Sequence, residues 1–147
     1  MRLSFTFFLS LIALAVCDDF TCGDTLYGPR KLNPTITKAC DLLKEGSSVG
    51  RNHYPHVYKN FEKIHLTGSA PYYEFPLLPV GVYDGDGSPG PDRVIITQDC
   101  KQAGVITHHG AANKNSFVPC SPASVVSLNS QSVFALCFAM MLHAVFA

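Results

Sequence analysis

Three short segments of the chain combine strand-forming residues with one side chain that can do acid–base or phosphate chemistry. They read PYYEFP, DRVIIT and AGVITH. Alternate residues of a strand share a face. Glu74, Arg93 and His108 therefore project together if the apolar residues of the other parity pack on a core. The pattern predicts an acid, a guanidinium and an imidazole on one face of a sheet.

These three side-chain types suit phosphoryl transfer. A carboxylate can take a proton as general base, an imidazole can give one as general acid, and a guanidinium can hold two phosphate oxygens at once. A structural interpretation stays open, because a strand Glu and a strand Arg commonly form an ion pair and a lone His is commonly structural. The residue types thus predict a site without deciding its reaction.

One helix and one hairpin are expected around these segments. The helix should follow Pro34, with Thr35 as its cap and Gly46 as its stop. The runs RVIIT and AGVITH flank QDCKQ as a hairpin, and GDGSPGPD before them is typical of a loop. We therefore expect an α+β fold in which one helix packs on an antiparallel sheet. The apolar positions of the helix recur at helical spacing: Ile36, Ala39, Cys40 and Leu43.

Both ends of the 147-residue chain are apolar. Residues 1–17 place one basic residue before an uncharged run that ends in small residues, which is the layout of a secretory signal peptide. Residues 121–147 contain no Asp, Glu, Lys or Arg. Their hydrophobic end resembles a signal for a glycolipid (GPI) anchor, with a marginal tail anchor or a plainly secreted protein as alternatives. The sequence predicts an exported protein whose central domain spans 18–120.

The central segment has an almost balanced charge, with ten basic and 11 acidic residues and a net charge of −1. This balance argues against tight binding along the backbone of a long nucleic acid. Its four cysteines lack the paired spacing of a zinc site, so disulfides are expected and no metal. Spacing alone leaves three pairings open. The cysteines are Cys22, Cys40, Cys100 and Cys120.

Five runs follow one another along this segment: YPHVYKNFE, PYYEFP, SPGPDRV, GVITHHGA and NSFVPC. In order and spacing they resemble the small secreted guanyl-specific ribonucleases of fungi. The resemblance implies one long α-helix packed on a twisted antiparallel β-sheet whose concave face carries the site. It also implies two disulfide bridges, Cys22–Cys120 and Cys40–Cys100, and cis peptide bonds before Pro55 and Pro71.

The same resemblance implies roles in catalysis. Glu74 is expected to be the general base that takes the proton of the ribose 2′-hydroxyl, with the imidazole of His56 beside it. Arg93 is expected to stabilise charge on the phosphate, and His108 to protonate the departing 5′-oxygen. The first product would be a 2′,3′-cyclic phosphate, later hydrolysed to a 3′-phosphate. Two aromatic residues are expected to shape the phosphate pocket: Tyr54 and Phe117.

The run YKNFE is expected to bind guanine. Backbone groups of Lys59 and Asn60 would read the base, Glu62 would accept from its edge, and Tyr58 would stack on it. The family commonly has Asn where Lys59 stands and Tyr where Phe61 stands, so this chain departs from the family at two positions. The full set expected to contact guanine is Tyr58, Lys59, Asn60, Phe61, Glu62 and Asn115.

Single-stranded RNA is the expected partner of a monomeric enzyme that needs no cofactor. DNA should not be cut, because it lacks the 2′-hydroxyl that acts as nucleophile. The main alternative is a secreted interaction protein that keeps the ribonuclease fold without its chemistry. A ribosome-targeting ribotoxin is a second alternative, but it would carry long basic loops, and the charge of this segment disfavours them.

Overall fold

The computed structural model describes residues 19–123. The predicted signal peptide at 1–17 and residues 124–147 of the predicted tail lie outside the described residues, as do Cys17 and Cys137. Within 19–123, no helix is long and apolar enough to cross a membrane. The elements of this part, in chain order, are β1 (Phe20–Cys22), β2 (Thr25–Tyr27), α1 (Pro29–Glu45), β3 (His56–Tyr58), β4 (Tyr72–Pro76), β5 (Asp92–Thr97), β6 (Gln102–Thr107), β7 (Val118–Pro119) and β8 (Ser121–Pro122).

Helix α1 begins earlier than the apolar pattern predicts. It starts at Pro29, next to Gly28 as N-cap residue, and Pro34 lies inside it. Thr35, the predicted cap, is instead a buried residue of the helix, 1% exposed. A proline within the helix removes one backbone hydrogen bond, and here the packing of the buried helix face outweighs that loss. Gly46 ends the helix as predicted, in the left-handed conformation at φ 63°.

Helix α1 packs on one face of a five-stranded antiparallel sheet with the order β3-β4-β5-β6-β7. The helix and the sheet bury one apolar core between them. The strand residues in this core have the parity that the sequence predicts, which confirms the assignment of the two sheet faces. They are Phe75, Val94, Ile96 and Val105, with Tyr73 partly buried beside them.

The opposite face of the sheet carries a second, smaller apolar cluster. It consists of Tyr58, Ile95, Ala103 and Ile106, and Phe117 packs on its border. The pairing of β5 with β6 shifts by one residue between Ile95 and Ile96, which marks a bulge. This cluster forms an apolar floor beneath the polar side chains of the same face.

A second sheet of three short strands, with the order β2-β1-β8, joins the two ends of the described chain. Its strands have two or three residues each, too few for a periodic pattern, so the sequence did not reveal it. The N–H of Ala123 donates to the Asp19 carbonyl over 2.7 Å. The folded part therefore continues a few residues beyond position 120.

Two disulfides hold these parts together. One joins Cys22 to Cys120, with Cα atoms 4.7 Å apart, and closes most of the domain. The other joins Cys40 on α1 to Cys100 in the turn between β5 and β6, with Cα atoms 5.5 Å apart. Both pairings are those that the resemblance implied. The peptide bonds before Pro55 and Pro71 are cis, again as implied.

Candidate active site

Strand register brings the candidate catalytic residues together. Glu74 on β4 pairs directly with His56 on β3, and Arg93 on β5 pairs with Pro76, two residues from Glu74. Paired residues of antiparallel strands point to the same face, as do residues two apart. His108 lies one residue beyond β6 and two beyond Ile106, the β6 partner of Arg93. All four side chains therefore share the face opposite α1.

The carboxylate of Glu74 holds the imidazole of His56. Nε2 of His56 lies 2.6 Å from Oε1 of Glu74, and Nδ1 lies 2.9 Å from the carbonyl oxygen of Asn52. Both partners only accept, so each contact is a hydrogen bond only if that ring nitrogen carries a proton. The pKa of His56 is raised, chiefly by its hydrogen bond to Glu74, while burial acts in the opposite direction. The site thus favours a doubly protonated His56.

Arg93 is the rigid part of the site. It is 4% exposed, and its Nη1 donates to the carbonyls of Pro89, Gly90 and Asp92 over 3.2, 2.8 and 2.8 Å. Nη2 donates to the hydroxyl of Tyr54 over 3.0 Å. The guanidinium also lies 5.2 Å from the ring centre of Tyr54. These contacts fix a permanent positive charge on the sheet face.

Glu74 and Arg93 each keep one buried atom without a hydrogen-bond partner among the described residues. These atoms are Oε2 of Glu74 and Nε of Arg93, and they lie 3.5 Å apart. The two charges attract at this distance, but a guanidinium donor would normally approach a carboxylate oxygen more closely. Buried polar atoms are usually paired in folded proteins. The pair therefore presents one acceptor and one donor for which residues 19–123 supply no partner.

His108 is held in one tautomer by the chain that follows it. Its Nδ1 lies 2.7 Å from the carbonyl oxygen of Ser116. A carbonyl only accepts, so Nδ1 must donate, and Nε2 is the nitrogen left to exchange a proton. The ring stacks on Phe117, with ring centres 3.9 Å apart and an interplanar angle of 24°. The phenyl ring thus fixes the plane of the imidazole.

Next to Glu74 lies a cleft of about 330 Å³ whose walls contain every residue that the sequence analysis assigned to guanine. Asn60 braces the loop: its side chain donates to the Ile64 carbonyl and accepts from the Ile64 N–H, both over 2.8 Å. These bonds occupy the side chain of Asn60 and leave its backbone to contact a ligand. Lys59 lies with Nζ 5.9 Å from the ring centre of Phe61. Lys59 and Asn115 are exposed.

Two aromatic residues of the cleft, Tyr58 and Phe61, differ in how much of the ring is open to a base. Tyr58 is only 7% exposed and donates through its hydroxyl to Oε2 of Glu62 over 3.1 Å, so little of its ring can stack on a base. Burial, together with this hydrogen bond, raises its pKa. Phe61 is 81% exposed and offers a free ring instead. Oε1 of Glu62 accepts from the Phe117 N–H over 3.1 Å, so protein donors already orient both carboxylate oxygens.

Several contacts of the site use backbone carbonyls that sequence reasoning did not find. Asn52 and Ser116 hold the two histidines, and Pro89 and Gly90 hold the arginine. A backbone acceptor leaves no mark on residue type, so no sequence signal could have identified them. In the described part of the chain, no group of three His, Cys, Asp or Glu residues is placed to hold a metal ion.

Comparison with known proteins places these residues in a family. The sequence model of the ribonuclease family matches residues 15–121. The chain is 44% identical over 104 residues to guanyl-specific ribonuclease Th1 of Trichoderma harzianum, covering 70% of this chain and 97% of that protein. It is 45% identical over 101 residues to the extracellular guanyl-specific ribonuclease Fl1 of Gibberella baccata, covering 69% and 94%.

Two further proteins show the same similarity. Guanyl-specific ribonuclease T1 of Aspergillus oryzae is 44% identical over 104 residues, which cover 70% of this chain and 78% of that one. The solved ribonuclease He1 of Hericium erinaceus is 33% identical, with a TM-score of 0.49, and the match covers 70% of this chain and 98% of that one. With a family model that matches most of the chain and curated relatives above 40% identity, the chain belongs to the ribonuclease family.

Proposed function

We propose that the chain is a secreted, guanyl-specific endoribonuclease that cuts single-stranded RNA after guanosine. The observation that carries the proposal is the environment of Glu74. Its buried carboxylate has the His56 imidazole at 2.6 Å from one oxygen and the Arg93 guanidinium at 3.5 Å from the other, and it lines the cleft beside it. The names of the relatives, each a guanyl-specific ribonuclease, support the base preference.

The first step is proposed to be transphosphorylation. Oε2 of Glu74, which has no donor among the described residues, takes the proton of the ribose 2′-hydroxyl as that oxygen attacks phosphorus. The bond from phosphorus to the 5′-oxygen breaks, and Nε2 of His108 gives that oxygen its proton. A bond from phosphorus to the 2′-oxygen thus replaces the bond to the 5′-oxygen, and the product is a 2′,3′-cyclic phosphate.

Two cations are proposed to stabilise the charge that develops on the phosphate. Arg93 is held in place by four donated hydrogen bonds, so it needs no reorganisation during the reaction. His56, protonated through its contact with Glu74, supplies the second positive charge. Tyr54 orients both, because its hydroxyl accepts from Arg93 and its ring stacks on His56 with centres 4.7 Å apart. Phe117 covers the group from the His108 side.

The second step is proposed to be hydrolysis with the same groups in exchanged roles. His108, now neutral at Nε2, takes a proton from water, whose oxygen attacks phosphorus. The bond to the 2′-oxygen breaks, and the protonated Glu74 returns its proton to that oxygen. The product is a 3′-phosphate, and both side chains regain their starting protonation.

Guanine is proposed to bind in the cleft of about 330 Å³. The N1–H and N2–H groups of guanine donate to Glu62, and the backbone at Lys59 and Asn60 contacts the other edge. Phe61, rather than Tyr58, stacks on the base, because its ring is 81% exposed. Asn115 closes the far side of the cleft.

The test is digestion of a defined RNA by the purified protein, with the cut sites and end groups mapped by mass spectrometry. Cuts after G that leave a 2′,3′-cyclic phosphate are the expected result, and the same strand with 2′-deoxyguanosine at one cut site should stay intact there. Cuts after every base would overturn the guanine preference alone. If the folded protein cuts no RNA, the proposed enzymatic activity is wrong, and the alternative of a non-enzymatic interaction protein is favoured.

Export is proposed from the predicted signal peptide, with support from a relative that is named extracellular. The apolar tail is proposed to direct a glycolipid anchor. The protein should then be found on the cell surface and be released by a phospholipase that cleaves such anchors. Recovery of a fully soluble product that still contains the tail peptide contradicts the anchor.

A further inference from the structure

A single peptide group connects the guanine cleft to the second histidine of the site. The N–H of Phe117 donates to Oε1 of Glu62 over 3.1 Å. The carbonyl of Ser116, which belongs to the same peptide group, accepts from Nδ1 of His108 over 2.7 Å. The order of atoms is therefore carboxylate, amide N–H, amide C=O and imidazole N–H.

Such a chain of hydrogen bonds polarises itself. A carboxylate at the N–H end draws positive charge toward it and increases the negative charge on the carbonyl oxygen of the same planar amide. A more negative carbonyl oxygen binds a positively charged imidazole better than a neutral one. The short 2.7 Å contact at His108 falls in the range of charge-assisted hydrogen bonds.

We propose that the Ser116–Phe117 peptide group relays the state of Glu62 to His108, so that guanine bound at Glu62 makes His108 a stronger acid. This inference rests on the proposed function, in which Glu62 binds guanine and His108 protonates the leaving oxygen. Glu62 is then a positioning residue for the acid as well as a ligand of the base. Base recognition and proton donation are coupled through one peptide group.

The direction of the coupling follows from where the charge of Glu62 goes. Without a base, the carboxylate accepts from the Phe117 N–H and the Tyr58 hydroxyl and from no other donor in the described part of the chain, and its charge polarises the peptide group fully. When guanine donates its N1–H and N2–H to the same oxygens, part of that charge is neutralised. The Ser116 carbonyl then stabilises the imidazolium less, and the proton at Nε2 of His108 leaves more readily.

Other charged and titratable groups also surround His108. Arg93 on β5 lies 5.9 Å from the ring centre of Phe117, and Glu74 on β4 and His56 on β3 share the sheet face. His109 follows in the chain, and its ring lies 3.2 Å from the position that a Cβ atom at Gly23 would take. A direct field from Glu62 through space would add to the field of these groups. The test must therefore separate that field from the relay.

The measurement is the pH midpoint at which the Cε1–H resonance of His108 titrates in the NMR spectrum of the free protein. Glu62→Gln keeps an acceptor for the Phe117 N–H but removes the charge, and we expect a midpoint about 0.3 to 1 pH unit lower than in the wild type. Replacing Phe117 by its α-hydroxy acid keeps the phenyl ring but exchanges the N–H for an ester oxygen, and the resulting ester carbonyl of Ser116 is itself a weaker acceptor, so the midpoint falls in this variant too. Under the relay, adding Glu62→Gln to the ester variant lowers the midpoint no further.

Lys59→Gln is the matched control, because it removes a charge from the same cleft without touching the Phe117 peptide group. Under the relay it leaves the midpoint unchanged, whereas a field through space would raise it. A midpoint that stays unchanged in Glu62→Gln overturns the relay. If Glu62→Gln lowers the midpoint by the same amount in the ester variant as in the wild-type backbone, the effect does not pass through the peptide N–H, and the relay is overturned too.

Guanosine, which carries no phosphate, tests the ligand arm. Saturating guanosine should lower the His108 midpoint in the wild type, and adenosine should leave it unchanged. If guanosine does not bind, the proposed guanine specificity fails, while the two variants of the free protein still decide whether the relay exists. If guanosine binds and the midpoint does not move, the coupling is wrong and the specificity stands.

Discussion

His56 and Glu74 face each other across β3 and β4, with Nε2 and Oε1 only 2.6 Å apart. A hydrogen bond between side chains thus joins a buried carboxylate to a half-exposed imidazole. The side chain of His56 is 38% exposed and that of Glu74 is 11% exposed, so water reaches the imidazole more readily than the carboxylate. The histidine can therefore exchange its proton with solvent.

This pair predicts a defined pH dependence of stability. The pKa of His56 is raised above its ordinary value of about 6.5, first by the hydrogen bond to Glu74. The contribution of the pair is therefore complete below that value and disappears as the pH rises through the raised pKa. Urea unfolding across this pH range should show the loss in the wild type, and Glu74→Gln should remove most of it. His65→Gln, at an exposed site, should retain the wild-type pH dependence of stability. If stability falls with pH by a similar amount in both variants, the pH dependence does not come from the His56–Glu74 pair.

Arg93→Lys tests whether the geometry of the guanidinium matters beyond its charge. Lysine keeps the charge but cannot donate to three carbonyls and to Tyr54 at once. We expect kcat to fall by a factor on the order of 10² to 10³ and the free energy of unfolding to fall by about 1 to 3 kcal/mol. Steady-state kinetics on a GpC dinucleotide and urea unfolding measure the two effects. Retention of kcat within about threefold would show that a point charge suffices.

Strand parity was the part of the site that sequence could predict, because it depends only on the alternation of side chains. Glu74, Arg93 and His108 share a face in the structure, as the pattern of their neighbours predicts. The chemistry of the face needed more than parity. His56 lies on a strand of three residues, too short for a pattern, and it entered only through the family resemblance.

Other features depend on contacts that residue types do not report. Pro34 predicts a helix boundary, yet burial of the helix face carries α1 past it to Pro29. The family resemblance implies that Tyr58 stacks on the base, whereas Phe61 has the exposed ring. The carbonyls of Asn52 and Ser116 hold the two histidines, and any residue could supply a carbonyl at those positions.

Phe61→Ala should weaken guanine binding without weakening the fold. Stacking of a base on an aromatic ring contributes about 1 to 3 kcal/mol, so we expect the KM for GpC to rise roughly 5- to 160-fold. The ring is 81% exposed, so the free energy of unfolding should change by less than about 0.5 kcal/mol. Val80→Ala, at an equally exposed apolar site, is the control and should change neither quantity. An unchanged KM for Phe61→Ala removes the residue from the base site.

The disulfide between Cys40 and Cys100 should stabilise the fold without contributing to the chemistry. It closes a separation of 60 residues, which corresponds to about 4 kcal/mol in the chain-entropy account. The double variant Cys40→Ala/Cys100→Ala should unfold at a lower urea concentration, with a free energy of unfolding that is smaller by that amount. It should keep its kcat at a temperature where it is folded. A loss of kcat in the folded variant would show that the bridge positions the site.

Tyr27→Phe should destabilise the protein although the tyrosine is remote from the site. Its hydroxyl donates to Oδ2 of Asp92 over 2.7 Å. Asp92 is 2% exposed, and its other oxygen, Oδ1, has no hydrogen-bond partner among the described residues. Removing the donor leaves a buried carboxyl oxygen unpaired, which costs about 1 to 3 kcal/mol. Tyr73→Phe removes a bond of the same length, 2.7 Å to Gln98, at an exposed position and should cost less than about 1 kcal/mol. Equal losses in the two variants, measured by urea unfolding at neutral pH, would show that the buried bond to Asp92 contributes no more than an exposed one.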